Sequence, residues 1–283
     1  MKNLKFVLYS IILIISFSCS ETVVKEVPLE STVDVPAVSG YFKKRVLIED
    51  YTGTWCGYCT RVSQAIDLVP TVTDKTVTVA IHGGGSDPWV TSNTAILKQY
   101  FFPANTTKYP EVRLNRTQLW TVPESLNLND VKKLTGNNCG LGLAISSKIE
   151  NGILNVDAKI KFAQTYSENL RLVVYVVENN LIRDQTNYTS SYYGGQDPIP
   201  NYVHNHVLRY SFTNPLGDNI TESTLFGLTI TKNFNTAIPL TLPFFITNPS
   251  EIGIVAFVIN SNNTVINVRY ANLNENQLFE QNL

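Results

Sequence analysis

Cys56 and Cys59 stand three apart in the stretch Trp55-Cys56-Gly57-Tyr58-Cys59. Two thiols at that spacing suit dithiol–disulfide exchange. That chemistry needs an accessible thiolate of low pKa, a second thiol to resolve the mixed disulfide, and an acceptor for the second thiol's proton. The apolar run Val46-Leu47-Ile48 precedes the motif, and Val62, Ala65, Ile66 and Val69 follow it at i, i+3, i+4, i+7 until Pro70. The motif is therefore expected to open a helix. Free backbone N–H groups and the positive end of the helix dipole favour thiolate there. Cys56, at the helix start, fits the attacking role, and Cys59, one turn inside, the resolving role. Asp50 stands six residues before Cys56 at the end of the preceding strand, and whether it is the acceptor turns on the resemblance described below. Glu49 belongs to the opposite face of that strand. Two plainer readings stand beside these: Asp50 as a strand-end acid in water, and Cys56–Cys59 as an inert staple.

The elements that must position these groups read in order. Arg45 to Tyr51 is a buried strand, followed by the CxxC turn and the first helix. Lys75 to His82, β-branched through Thr76-Val77-Thr78-Val79, is a second strand. A helix runs from an N-cap at Thr91 or Ser92 to about Tyr100. Tyr109-Pro110 enters a third strand that continues to Arg116. Thr117 to Val122 returns antiparallel, and Asn129 to Leu134 is a short helix closed by Gly136. The cysteines then lie at the C-terminal edge of the first strand, where open α/β sheets place their sites. His82 closes the second strand on the same edge, as a proton shuttle or as a structural histidine.

From Cys139 onward the pattern has period two. Leu154, Val156, Ala158, Ile160 and Phe162 alternate with Asn155, Asp157, Lys159 and Lys161. Further strands are expected at residues 141–145, 170–177, 206–212, 225–231, 240–245, 252–259 and 265–270, with turns at Asn151-Gly152 and Ser261-Asn262-Asn263. Short strands without helical stretches predict a β-sandwich. His204 and His206 share a strand face at i, i+2, a spacing that suits a metal; with no third ligand in view, packing or an interface is the better reading. The loop Arg183 to Asn201, rich in tyrosine, has a length often tied to function.

Length and composition set the outer bounds. The 283 residues suffice for about two domains, and 43% hydrophobic content with net charge −1 is globular and offers no nucleic-acid footprint. Lys2 and Lys5 followed by Phe6 to Ile15 form a signal segment too short to span a bilayer. Residues 20–40 read as a tether, about 25 Å long as a flexible coil. Of the four cysteines, Cys139 is left over if Cys19 is processed and Cys56 pairs with Cys59. It is expected to be a buried thiol. No cofactor is called for.

Several resemblances add to this reading. The strand, helix, strand, helix, strand, strand, helix order with its CxxC resembles the thioredoxin core. That resemblance implies a buried acid at Asp50 that takes the resolving thiol's proton, a cis peptide at Tyr109-Pro110 facing the CxxC, and a substrate contact surface from Trp55, Tyr58 and Tyr109; the plain alternative is a trans proline at a strand's first residue. The Gly57-Tyr58 dipeptide resembles that of periplasmic disulfide isomerases. Ser16-Phe17-Ser18-Cys19 resembles a bacterial lipoprotein signal, implying lipidation at Cys19 with residues 1–18 removed and a tether over 19–40. The competing reading is plain secretion. Ser20 resembles the outer-membrane sorting pattern. Glu49 to Cys56, Ile81-His82, Asn115-Arg116, Tyr202 to Arg209 and Val255-Ala256-Phe257-Val258 together resemble the Bacteroidota family named for a twenty-eight-kilodalton outer membrane protein. That resemblance implies a thioredoxin-like domain over 41–137 and an Ig-like sandwich over 138–283, on an exported lipoprotein at the periplasmic face or the cell surface. Its partners are expected to be exported cysteine-containing proteins or a membrane redox partner. The alternative from another class is a binding or adhesion lipoprotein that uses only its surface.

Overall fold

The computed structural model describes residues 41–102, 108–136, 138–238 and 246–282. The signal segment, Cys19, the tether and the strand expected at 240–245 lie outside the described residues. Fourteen strands and three α-helices are described. β1 Val46–Thr52, α1 Thr60–Leu68, β2 Thr76–His82, α2 Ser92–Phe101, β3 Glu111–Leu114, β4 Gln118–Leu119 and α3 Leu128–Thr135 come first. β5 Leu141–Glu150, β6 Ile153–Phe162, β7 Arg171–Glu178, β8 Leu181–Ile182, β9 Val203–His204 and β10 Val207–Ser211 follow. β11 Asp218–Asn219, β12 Thr229–Ala237, β13 Ile252–Ile259 and β14 Val265–Asn272 complete the chain. All α-helices among the described residues precede residue 137; after it the regular elements are strands and short 3₁₀ turns.

Every residue of β1 is buried because it is covered on both faces. Leu47 and Tyr51 enter a core with Val77, Val79 and Ile81 of β2 and Leu97 of α2. Val46 and Ile48 pack on the other face beneath Val62 and Ala65 of α1, with Val112, Leu114 and Val131. The strands run β2-β1-β3-β4, β1 parallel to β2 and antiparallel to β3. The register pairs Thr52 with His82, so the CxxC turn and His82 leave the sheet at one edge. α2 begins at the expected cap, Thr91: the Thr94 N–H donates to Thr91 O at 3.1 Å, and Thr94 Oγ1 reaches back to accept from the Thr91 N–H at 3.4 Å. β3 ends before the expected Arg116: Asn115 and Arg116 leave the strand at φ 48° and 71°.

The C-terminal strands make two layers. β5 and β6 pair through Asn151-Gly152, both at positive φ as a primed hairpin turn demands. β12 adds to β6, and the three-stranded sheet buries Leu143, Leu154, Val156 and Ile160 against Leu172, Val174, Ile254 and Ala256 of β7 and β13. β12 starts four residues later than the hydrophobic pattern suggested. Leu225 to Leu228 form a turn instead, with the Leu228 N–H donating to Leu225 O and Gly227 at φ 84°.

Strands from both halves form one sheet. β10 lies antiparallel to β7 and parallel to β2, with Val207 beside Ala80 and the Ala80 N–H donating to His206 O at 2.9 Å. The main sheet thus has nine strands, in the order β14-β13-β7-β10-β2-β1-β3-β4 with β11 on β7. The described residues belong to one compact unit. Across the shared core the buried Arg116 guanidinium meets Glu49 at 3.2 Å, Tyr175 Oη at 2.7 Å and Pro215 O at 2.7 Å, and lies over the Phe257 ring. Glu49 is therefore on the face away from the cysteines, as the alternation required.

Candidate functional site

Cys56 and Cys59 form a disulfide in the turn between β1 and α1. Two consecutive turns deliver them. The Cys56 N–H donates to Gly53 O at 3.0 Å, and the Cys59 N–H donates to Cys56 O at 3.1 Å. The helix begins at Thr60, and Cys59 holds its N-cap position. The expectation that Cys56 stands at the helix start is therefore corrected: the residues between the cysteines form a turn of their own, and Cys56 precedes the first helical residue by one turn. Cys56 is 4% exposed and Cys59 1%, whereas their neighbours Trp55 and Tyr58 are 40% and 56% exposed.

The aromatic surface divides in two. The Trp55 ring meets Tyr109 edge-on at 5.4 Å and donates from Nε1 to Gly83 O at 2.9 Å. The Tyr109–Pro110 peptide is cis. Tyr58 meets not Tyr109 but Tyr188, edge-on at 5.5 Å. Tyr188 belongs to the long loop, and its ring lies so close over Gly57 that a Cβ there would fall 2.3 Å from Cγ. The space over Gly57 admits no side chain.

Asp50 is not a strand-end acid in water. It is 3% exposed and its Oδ1 has no hydrogen-bond partner among the described residues. Burial, reinforced by the charge of Glu124, pushes its carboxyl up to about 8, so it carries a proton at neutral pH. Asp50 lines a cavity of about 330 Å³ beside α1, with Ser63, His82, Tyr202, His204 and His206. A larger open groove of about 570 Å³ adjoins it through Ile66, Asp67, Thr78 and His206, and neither cysteine lines the cavity or the groove.

The chain's three histidines all line this cavity. His82 Nδ1 lies 3.0 Å from Asp87 Oδ2, which also accepts from the Thr54 N–H at 2.7 Å, and Asp87 Oδ1 accepts from the Trp89 N–H at 2.9 Å. Burial opposes ionisation of Asp87, but His82 and the two N–H groups outweigh it and hold the carboxyl below its usual range. His82 is thus tied by Asp87 to the turn that leads into the cysteines. His204 packs against His82, Trp89 and Tyr202. Burial and the neighbouring His82 push it down to about 4, leaving it neutral. The shared strand face expected for His204 and His206 is not kept, because His206 takes φ 58° between β9 and β10. Among the described residues no group of three or more His, Cys, Asp or Glu could hold a metal ion. Cys139 is buried, with its Sγ donating to Ile266 O.

Sequence reasoning flagged the loop 183–201 by length but not its destination. It is an irregular hairpin that extends β8 and β9, with Gln185 bridging to Ile199. One arm runs along the CxxC turn and α1. The Thr186 N–H donates to Thr54 O at 2.9 Å and the Tyr188 N–H to Gly57 O at 2.9 Å. Gln185 Nε2 reaches Cys56 O at 3.0 Å and Gly53 O at 3.3 Å. Thr60 Oγ1 donates to Asn187 Oδ1 at 2.9 Å, and Tyr193 Oη meets Asp67 near the helix end. The only signal in the sequence was the concentration of amides and tyrosines, which mark a loop that bonds to something.

Comparison with known proteins fits this architecture. HBP35 of Porphyromonas gingivalis is a solved structure similar in fold: the TM-score is 0.66 at 19% identity, over 84% of this chain and 78% of that one. No curated protein matches. The family model for outer membrane protein Omp28 matches residues 97–277, a stretch that begins after the CxxC and holds the hairpin and the C-terminal strands. That match spans more than half the chain, and the protein belongs to the Omp28 family of outer membrane proteins.

Proposed function

We propose that the protein is a lipid-anchored outer-membrane thiol–disulfide oxidoreductase acting on cysteines of exported proteins. In this reading residues 41–137 are a thioredoxin-like domain and residues 138–283 an Ig-like sandwich. Cys19 carries the lipid, residues 1–18 are its signal, and residues 19–40 are the tether. The observation that carries the redox reading is the conjunction at one sheet edge: a CxxC disulfide after β1, with a buried, protonated Asp50 six residues before it. The β2-β1-β3-β4 order and the cis Tyr109–Pro110 bond support the fold assignment. Cys56 attacks, because it lies ahead of the helix, next to the exposed Trp55, and is the less buried of the two cysteines. Cys59 resolves, and Asp50, once it has lost its proton, takes the proton of Cys59. Trp55, Tyr109 and Pro110 flank the approach, and Tyr58 contributes with Tyr188.

Trapping tests this reading. Cys59→Ala should accumulate mixed disulfides with partner proteins under acid quench on non-reducing gels, because attack proceeds and resolution does not. Cys56→Ala should trap nothing. Capture by Cys56→Ala alone would reverse the roles.

A second reading rests on the burial of both cysteines: a surface-binding protein in which the disulfide is a staple. The pair's reduction potential separates the two. Values above about −300 mV belong to labile, catalytic pairs and values well below to structural ones. A low potential, with neither variant trapping a partner, would favour the staple.

A further inference from the structure

We propose that Gln185, contributed by the C-terminal half, is a positioning residue of the disulfide turn that shifts the Cys56–Cys59 pair toward its oxidised form. This goes beyond the oxidoreductase reading by naming a residue that acts on the pair, and it holds for a catalytic or a structural disulfide alike.

The placement of one amide carries it. Gln185 is 4% exposed, and its Nε2 lies 3.0 Å from Cys56 O, 3.3 Å from Gly53 O and 3.0 Å from Thr186 O. The first two carbonyls are the acceptors of the two turns that deliver the cysteines. Gly53 O already takes the Cys56 N–H, and Cys56 O already takes the Cys59 N–H. One side chain therefore spans both turns. The backbone of the same arm holds the carbonyls of Thr54 and Gly57. Four of the five carbonyls from Gly53 to Gly57 are thus bonded to the hairpin.

Closing a disulfide is a ring closure, so its equilibrium depends on how often the two thiols meet in the dithiol state. In the disulfide the S–S bond itself restrains the turn. In the dithiol that restraint is gone, and the Gln185 amide, the one side chain bonded to the acceptors of both turns, adds to the backbone bonds that keep the turns from opening. Removing it releases conformations to the dithiol that the disulfide does not gain, and preorganisation is lost from one side only. The reaction is the exchange of two glutathione thiols with the protein disulfide, giving glutathione disulfide and the protein dithiol. Without Gln185 that equilibrium moves toward the dithiol.

The test is the redox equilibrium of the full chain in glutathione buffers of defined ratio, read by alkylation and peptide mass of Cys56 and Cys59. Gln185→Met keeps the volume and removes both N–H donors, while Gly53 O and Cys56 O retain their backbone donors. It should favour the dithiol by about tenfold, a rise of about 30 mV. Gln185→Ala is the second variant and should move the same way. Asn187→Ala is the control, since Asn187 bonds Thr60 and the hairpin tip rather than those two carbonyls. Its midpoint of thermal unfolding should fall with the potential unchanged. An unshifted potential in the Gln185 variants, or an equal shift in Asn187→Ala, overturns the proposal. A Cys59→Ala variant that traps no partner, with the Gln185 shift intact in the chain that keeps both cysteines, would overturn the oxidoreductase reading and leave this one standing.

Discussion

At the scale of single residues, Asp50 links the site to stability. Its folded-state carboxyl is pushed up to about 8 by burial, against about 4 in an unfolded chain. Between those values the folded protein holds a proton that the unfolded chain has lost. Stability therefore falls as pH rises through this window, and the contribution is fully present only below about pH 4. Asp50→Asn keeps the shape and removes the titration. It should raise the thermal midpoint at pH 8 by several degrees, little at pH 4, and flatten the profile between. A variant whose midpoint tracks the wild type across that range would show Asp50 titrating normally. The residue itself was legible from its spacing to Cys56. Its burial was not, because the side chain is covered by elements from both ends of the chain.

At the scale of elements, the buried Arg116 joins β1 to β7. Burial alone would lower its pKa, but Glu49 outweighs burial and holds the guanidinium above its usual range. Removing one partner strands the other charge without water. Arg116→Met should cost about 3–5 kcal/mol, read as a lower urea midpoint, and Glu49→Leu combined with Arg116→Met should recover most of it. Recovery is expected because the surroundings, Phe101 and Phe257, are apolar. A double variant no better than the single one would show that Tyr175 and Pro215 carry the link instead. Strands and helices were largely readable here, since β2, β13 and α2 follow clear local patterns. The misses share a cause. The start of α1, the end of β3 and the start of β12 are each set by turn conformations at Cys56–Cys59, Asn115-Arg116 and Gly227, where hydrophobic periodicity is silent.

At the scale of the whole molecule, periodicity announced a change of character near residue 138 but not the pairing of β10 with β2, nor the hairpin lying over the cysteines. Both are contacts between distant segments, and no local signal encodes them. The N-terminal segment sets a separate expectation. No helix among the described residues is long and apolar enough to cross a membrane. If lipid on Cys19 holds the protein, Cys19→Ala should move it from membrane to soluble fractions. Unchanged sedimentation with membranes would require another attachment.

The shared sheet also bears on self-association. Standing alone, a β2-β1-β3-β4 sheet would leave β2 as an open edge, and a β14-β13-β7-β10 sheet would leave β10 as another. Unpaired edges recruit strands from other copies of a chain. Here those edges meet at one register pair, Val207 beside Ala80, with the Ala80 N–H spent on His206 O. The edges that remain in the main sheet are poor templates. β4 is two residues long. Along β14, the Val265 N–H is committed to Asn115 O, the Val268 N–H donates to Asn267 Oδ1, and Tyr270 O accepts from Gln277 Nε2. Joining the halves edge to edge therefore shields the chain against aggregation where two separate sheets would each have needed protection of their own.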